Sequence, residues 1–278
     1  MIHLFPKREK RLLILCACYL ALVGVYLALN RAANPIPVLL IAAVGLAIVV
    51  ISQYLTAFNM HSQLLARLYN QLDAEGFLRD YEPKLQLPLR NQNIALSVRL
   101  HTSNAYCALG RFDEAIALLS SFNVKPTKNA EDDLLSRFAI VSNLCYCAEQ
   151  KNDLPAARQY MDELLALKAK LEAMQAGKPE KKRMVFSTEL NEQCLSFLST
   201  GKADVGVLQR LVQSNTQQLH KITISLWIAR VYLSENNRRE GEKLLAQIVK
   251  LAPDLYPGKA AAQLLAGLPG SAESDASV

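Results

Sequence analysis

The hydrophobic pattern divides the chain in two. From Leu12 to Leu29 no residue is charged, and a second uncharged apolar run extends from Val38 to Phe58. At about 1.5 Å per residue the first run makes roughly 27 Å of helix, close to the thickness of a hydrocarbon core. Between the runs, Asn30, Arg31, Asn34, Pro35 and Pro37 break the pattern and predict a short exposed turn. In the second run the polar members Ser52, Gln53 and Thr56 gather toward the end, where Tyr54 and Phe58 suit a membrane interface. A basic start followed by an apolar stretch also fits a cleaved leader. The immediate second run and the weak cleavage context around Ala28-Leu29-Asn30 favour a retained hairpin. From residue 60 onward the apolar positions recur at helical spacing throughout.

Within that helical region one frame repeats. The stretch "NAYCALGRFDEAIALL" (104–119) reads as a helix ending, a tight turn at Gly110 and a second helix beginning. Its small, aromatic, turn and small positions are Ser103, Tyr106, Gly110 and Ala115. The same frame fits Cys145, Ala148, Asn152 and Ala157, then Cys194, Phe197, Gly201 and Gly206, then Ala229, Tyr232, Asn236 and Gly241. Packing explains the pattern. Two antiparallel helices approach closely only where small side chains meet, and the turn residue must tolerate a left-handed backbone, hence Gly or Asn. Each pair leaves an apolar face that the next pair covers, so such units stack into a solenoid.

With Ala105-Tyr106, Gly110, Phe112 and Ala115, the stretch "AYCALGRFDEAIALL" resembles a tetratricopeptide repeat (TPR), and "LLAQIVKLAPD" (244–254) supplies the family's closing proline as Pro253. The resemblance covers residues 90–256. Only Gly206 and Gly241 keep close to the family's period of about 34 residues; Ala115, Ala157 and Gly206 lie further apart. The excess falls in two stretches read as loops, "NVKPTKNA" (123–130) and "MQAGKPEKKR" (174–183). Arg210 and Gln213 stand where the family has apolar residues. The fold expected is all-α: an N-terminal two-helix transmembrane hairpin followed by a TPR-like α-solenoid of helical hairpins. Residues 1–58 hold the basic segment and the spans, at about 12–29 and 37–58. Residues 59–88 form juxtamembrane and N-capping helices, with Leu64, Leu68 and Leu72 on one stripe. The repeat domain with a capping helix (258–268) occupies 89–268, and 269–278 is an acidic disordered tail.

The resemblance implies a groove, lined by the first helix of each repeat, that binds a protein or peptide. Carried over by position, its residues include Asn104, Tyr146, Glu149, Asn191 and Arg230, with Ser97, Leu100, Leu195 and Leu233 beside them. Family members that clamp a chaperone's acidic tail place a lysine one turn before the groove asparagine. Here Leu100 stands there, so a clamp of that kind is not expected.

Charge changes the picture of partners. Lys7, Arg8, Lys10, Arg11 and Arg31 against Glu9 account for four of the six net positive charges. The bulk of the chain is nearly neutral, which excludes a nucleic-acid footprint and leaves a membrane-orientation signal. By the positive-inside rule both termini lie in the cytoplasm of a multi-pass protein of the plasma (inner) membrane, bacterial in type. Six scattered cysteines make no disulfide framework and suit a reducing compartment. Ala17, Ala21, Gly24 and Ala28 share one face of the first span, and Ala43 and Ala47 repeat the spacing. The spans are therefore expected to pack against each other or against another subunit.

No catalytic chemistry is legible. His3, His61, His101 and His220 are far apart and lack ligand-spaced partners. Cysteines two apart on a helix diverge, so no metal site is expected. Phosphate-cradle and nucleophile-elbow motifs are absent. The acidic pairs Asp113-Glu114, Asp132-Asp133 and Asp162-Glu163 suit helix N-termini and exposed faces, and Lys178, Lys181, Lys182 and Arg183 a solvated loop. The sequence thus predicts a non-catalytic, cofactor-free, membrane-anchored scaffold. The rival is an accessory subunit of a transport or secretion complex, recognised through its hairpin.

Overall fold

The structure, a computed structural model, describes residues 2–30, 35–174 and 177–268. The expected tail (269–278) and most of the turn between the spans (31–34) lie outside them. Among the described residues the chain is all-helical, with twelve α-helices, two short 3-10 segments and no strand. They fall into two compact units: residues up to Leu65 with Gln86–Leu89, and Ala66–Leu85 with the chain from Arg90 onward.

The first unit holds α1 (Pro6–Leu29) and most of α2 (Pro35–Tyr69). Each contains an 18-residue window of mean hydropathy 2.6, and both are long and apolar enough to cross a membrane. No residue of α1 is buried; Leu22 is 69% and Ile41 on α2 71% exposed. Apolar surface of this extent on all sides of a helix is what a hydrocarbon solvent, rather than water, accommodates. The small residues are used unequally. Gly45 seats the Tyr19 phenol, where a Cβ would lie 2.1 Å from the oxygen, whereas Gly24 meets nothing within 4 Å.

The second unit begins with the last turn of α2. The helix stops at Tyr69, and Leu72 adopts a left-handed backbone (φ 62°), so it does not continue the stripe of Leu64 and Leu68. Arg67 turns the chain by pairing with Asp73 (2.5 Å) and Asp80 (2.7 Å). Next come α3 (Ala74–Tyr81), α4 (Gln92–Ala108), α5 (Phe112–Ser120), α6 (Ala130–Gln150), α7 (Leu154–Ala173), α8 (Lys178–Thr200), α9 (Val205–Ser214), α10 (Gln218–Ser234), α11 (Arg238–Leu251) and α12 (Tyr256–Ala266). Starts are marked chemically. Asp73, Asn91, Asn129, Asp153 and Asp204 each accept a backbone N–H of their helix's first turn.

Four helix ends share one device. Gly110, Asn152, Gly201 and Asn236 all have φ between 57° and 80°. At three of them the following residue donates to the carbonyl five back: Arg111 to Tyr106 (2.8 Å), Asp153 to Ala148 (2.9 Å) and Asn237 to Tyr232 (2.8 Å). This is the Schellman closure, which satisfies carbonyls the helix would otherwise leave open. It turns the chain so that α5 packs on α4, α7 on α6 and α11 on α10. The small residues sit at those contacts: Ser103, Ala115, Cys145, Ala157 and Ala229 are buried, and a Cβ on Gly241 would meet Leu233. The third pair departs. Gly206 is exposed, and α9 instead buries Leu208 and Leu211 against α10.

The stretch 174–183 is shorter as a loop than its charges suggest. Helix α8 starts at Lys178, leaving Lys181, Lys182 and Arg183 on an exposed helical face while Met184 is buried. At the other end α12 packs on α11 and reaches back to α4, and its Tyr256 stands edge-on to Phe112, the first residue of α5, at 4.9 Å. Gly258 makes this helix possible, because a Cβ there would stand 1.9 Å from the Ala252 carbonyl oxygen. The obstacle is backbone, so no side-chain rotation relieves it. Gly258→Ala is expected to destabilise the unit by about 3 kcal/mol, at the upper end of overpacking costs. A chemical melt in detergent checks this, with exposed Gly206→Ala as the near-neutral control.

Candidate functional site

Helices α4, α6, α8 and α10, with the start of α12, enclose a cavity of about 180 Å³. Asn104 and Cys107 come from α4; Ser142, Asn143 and Tyr146 from α6; Phe186, Ser187, Leu190 and Asn191 from α8; Leu219, His220 and Thr223 from α10; Pro257 from α12. Three carboxamides, several hydroxyls and one imidazole thus alternate with aliphatic and aromatic carbon. No Asp, Glu, Lys or Arg is in the lining.

Hydrogen bonds fix part of this set. Asn104 donates to the Tyr69 hydroxyl (2.8 Å), which also bonds His101 Nδ1 (2.8 Å). The Tyr69 ring stands edge-on to His220 at 5.4 Å. Asn191 reaches the Ser142 carbonyl and hydroxyl at 3.4 Å, and Asn143 donates to the Ala139 carbonyl at 2.8 Å. With their N–H groups engaged, the three carboxamides retain oxygen acceptors. Burial pushes the His220 imidazole down to about 4, so it is neutral at physiological pH. Burial likewise raises the Tyr146 and Tyr69 phenols, which stay protonated.

Of the five residues singled out in the sequence, Asn104, Tyr146 and Asn191 meet in this cavity, from three different helices. Glu149 lies elsewhere. It is 1% exposed, and the thiols of Cys145 (3.5 Å) and Cys194 bond its carboxyl. Arg230 is outside the lining too, with its guanidinium 4.6 Å above the Trp227 ring. His220, Asn143, Ser187 and Thr223 were not anticipated. The lining comes from the C-terminal end of α4, the second half of α6, the middle of α8 and the N-terminal half of α10. The frame therefore finds Asn191 on α8 but looks too late along α10, where it points to Arg230. The i, i+3 pairs Asn143/Tyr146 and His220/Thr223 were the available signal.

Among the described residues no three His, Cys, Asp or Glu side chains converge to hold a metal. No family model, no curated protein and no solved structure matches this chain.

Proposed function

We propose that this chain is a non-catalytic, membrane-anchored scaffold. In this reading α1 and α2 cross the inner membrane with both termini in the cytoplasm. Helices α4–α12 form a TPR-like solenoid whose groove binds a protein or peptide partner. The observation that carries the reading is the meeting of Asn104, Tyr146 and Asn191, each from the first helix of a separate hairpin, in one cavity. A lining without ionised side chains suits an uncharged stretch of peptide, whose amides can donate to the carboxamide oxygens. A second reading, an accessory subunit recognised through its spans, is favoured by one feature: the face around Gly24 is open.

A photoreactive diazirine side chain introduced at Ser187, in the cavity, or at Leu40, on the span, separates the two in living cells. The scaffold reading expects a discrete protein adduct from position 187. That adduct should weaken about thirtyfold in the Asn104→Ala/Asn191→Ala double variant, at roughly 1 kcal/mol per hydrogen-bonding side chain. Adducts from position 40 alone transfer the function to the hairpin, and the absence of adducts from both sites removes both readings.

A further inference from the structure

Four thiols lie in the core of the second unit, and they divide by partner. Cys145 and Cys194 bond the Glu149 carboxyl. Cys107 on α4 and Cys147 on α6 face each other, sulfur to sulfur, at 3.3 Å. Both are free thiols and buried, at 5% and 0% exposure. Cys107 also lines the cavity, so it is reachable by anything small enough to enter. A disulfide needs the sulfurs little more than about 1 Å closer, at roughly 2.05 Å.

We propose that Cys107 and Cys147 are an oxidation site: a peroxide entering the cavity converts them to a disulfide that ties α4 to α6. In the first step the Cys107 sulfur attacks one peroxide oxygen. An S–O bond forms, the O–O bond breaks, and the leaving hydroxide takes the thiol proton to give water. In the second step Cys147 attacks the resulting sulfenic acid. The S–S bond forms, the S–O bond breaks, and the departing hydroxide takes the Cys147 proton as a second water. Two thiols and one hydrogen peroxide thus give one disulfide and two waters, with the sulfurs losing the two electrons the peroxide gains.

Size selects the oxidant. A water-sized peroxide, at roughly 30 Å³, fits the cavity, whereas a bulky disulfide does not. The hydrogen bond to Cys147 and burial hold the Cys107 thiol above its ordinary range, so the attack is slow at neutral pH and faster in alkali. In a reducing compartment the bond is transient. The inference does not depend on what occupies the groove.

The test uses the full chain in detergent at pH 8, treated with millimolar hydrogen peroxide, quenched by alkylation under denaturing conditions and mapped as peptides. The expected product is a peptide pair linked through Cys107 and Cys147 in at least half of the chains. It should revert with dithiothreitol, be absent from Cys147→Ser, and be retained in Cys145→Ser and Cys194→Ser. Recovery of Cys107 and Cys147 as alkylated free thiols, or linkage of either to Cys145 or Cys194 instead, overturns the proposal. The wild-type map alone decides this if a serine variant fails to fold.

Discussion

Replacing Trp227 by alanine is expected to cost the second unit about 4 kcal/mol, the range for emptying a buried aromatic site. The indole is 1% exposed and sits among Cys194, Leu208, Leu211, Ile224, Ile228 and Val231, where α8, α9 and α10 meet. Phe197 meets it edge-on at 5.9 Å, and Arg230 lies over its face at 4.6 Å. Alanine removes the transfer energy of the ring and both ring contacts, the cation–π one worth about 0.5–1 kcal/mol. It also leaves three helices around a void, which adds to the penalty. At roughly 2–4 °C per kcal/mol for a domain of this size, the thermal midpoint falls by about 12 °C. Trp227→Phe keeps the edge contact and falls about a third as far. Circular dichroism is the readout, since the chain has one tryptophan and the variant removes its fluorescence. A midpoint shift of only 2 °C would mean that this cluster does not hold the three helices together.

Features encoded by a residue's own chemistry were legible in the sequence. Gly110, Asn152, Gly201 and Asn236 were read as turns because few other residue types tolerate a left-handed backbone, and all four adopt one. The apolar runs behind α1 and α2 were legible for a similar reason, since eighteen uncharged residues in a row are hard to place in water. Charge misled where it had two solutions. Lys181, Lys182 and Arg183 are solvated equally well on a loop or on an exposed helical face, and only buried Met184 next to them marks the face. Leu72 misled in the opposite way. It continues the leucine spacing, but the pairing of Arg67 with Asp73 and Asp80 bends the chain first.

The candidate site was half legible for a geometrical reason. Asn104, Tyr146 and Asn191 occupy frame positions, and a frame carries along one helix without error. Which turn of α8 faces which turn of α6 depends on the lengths of the intervening helices, which no local pattern encodes. His220 therefore looked like an isolated histidine, although Tyr69, Asn104 and His101 form a connected polar group beside it. Glu149 occupied a groove position by count, yet its carboxyl lies among thiols in the core.

That placement gives Glu149→Gln a pH-dependent effect. Burial raises the Glu149 carboxyl well above its ordinary range, and the nearby Cys147 adds to this, so the native state keeps the proton. The unfolded chain releases it above roughly pH 4.3. From there upward the native state binds more protons than the unfolded one, and stability declines by about 1.4 kcal/mol per pH unit until the raised native value is reached. Glutamine has nearly the same shape, accepts the same thiol hydrogen bonds and does not titrate. The variant should match the wild type near pH 4 and gain on it progressively as the pH rises from there. His220 sharpens the comparison. Its native value of about 4 lies below the unfolded value near 6.5, so the unfolded state binds more protons between them and stability rises across that window. In the wild type the Glu149 decline opposes the His220 rise and flattens it. In Glu149→Gln the His220 rise stands alone and then levels. Urea midpoints at half-unit steps from pH 4.5 to 7.5 distinguish the two curves. Parallel curves would mean that the native carboxyl is ionised, and then the Cys145 and Cys194 thiols would be donating to a charge instead of to an acid.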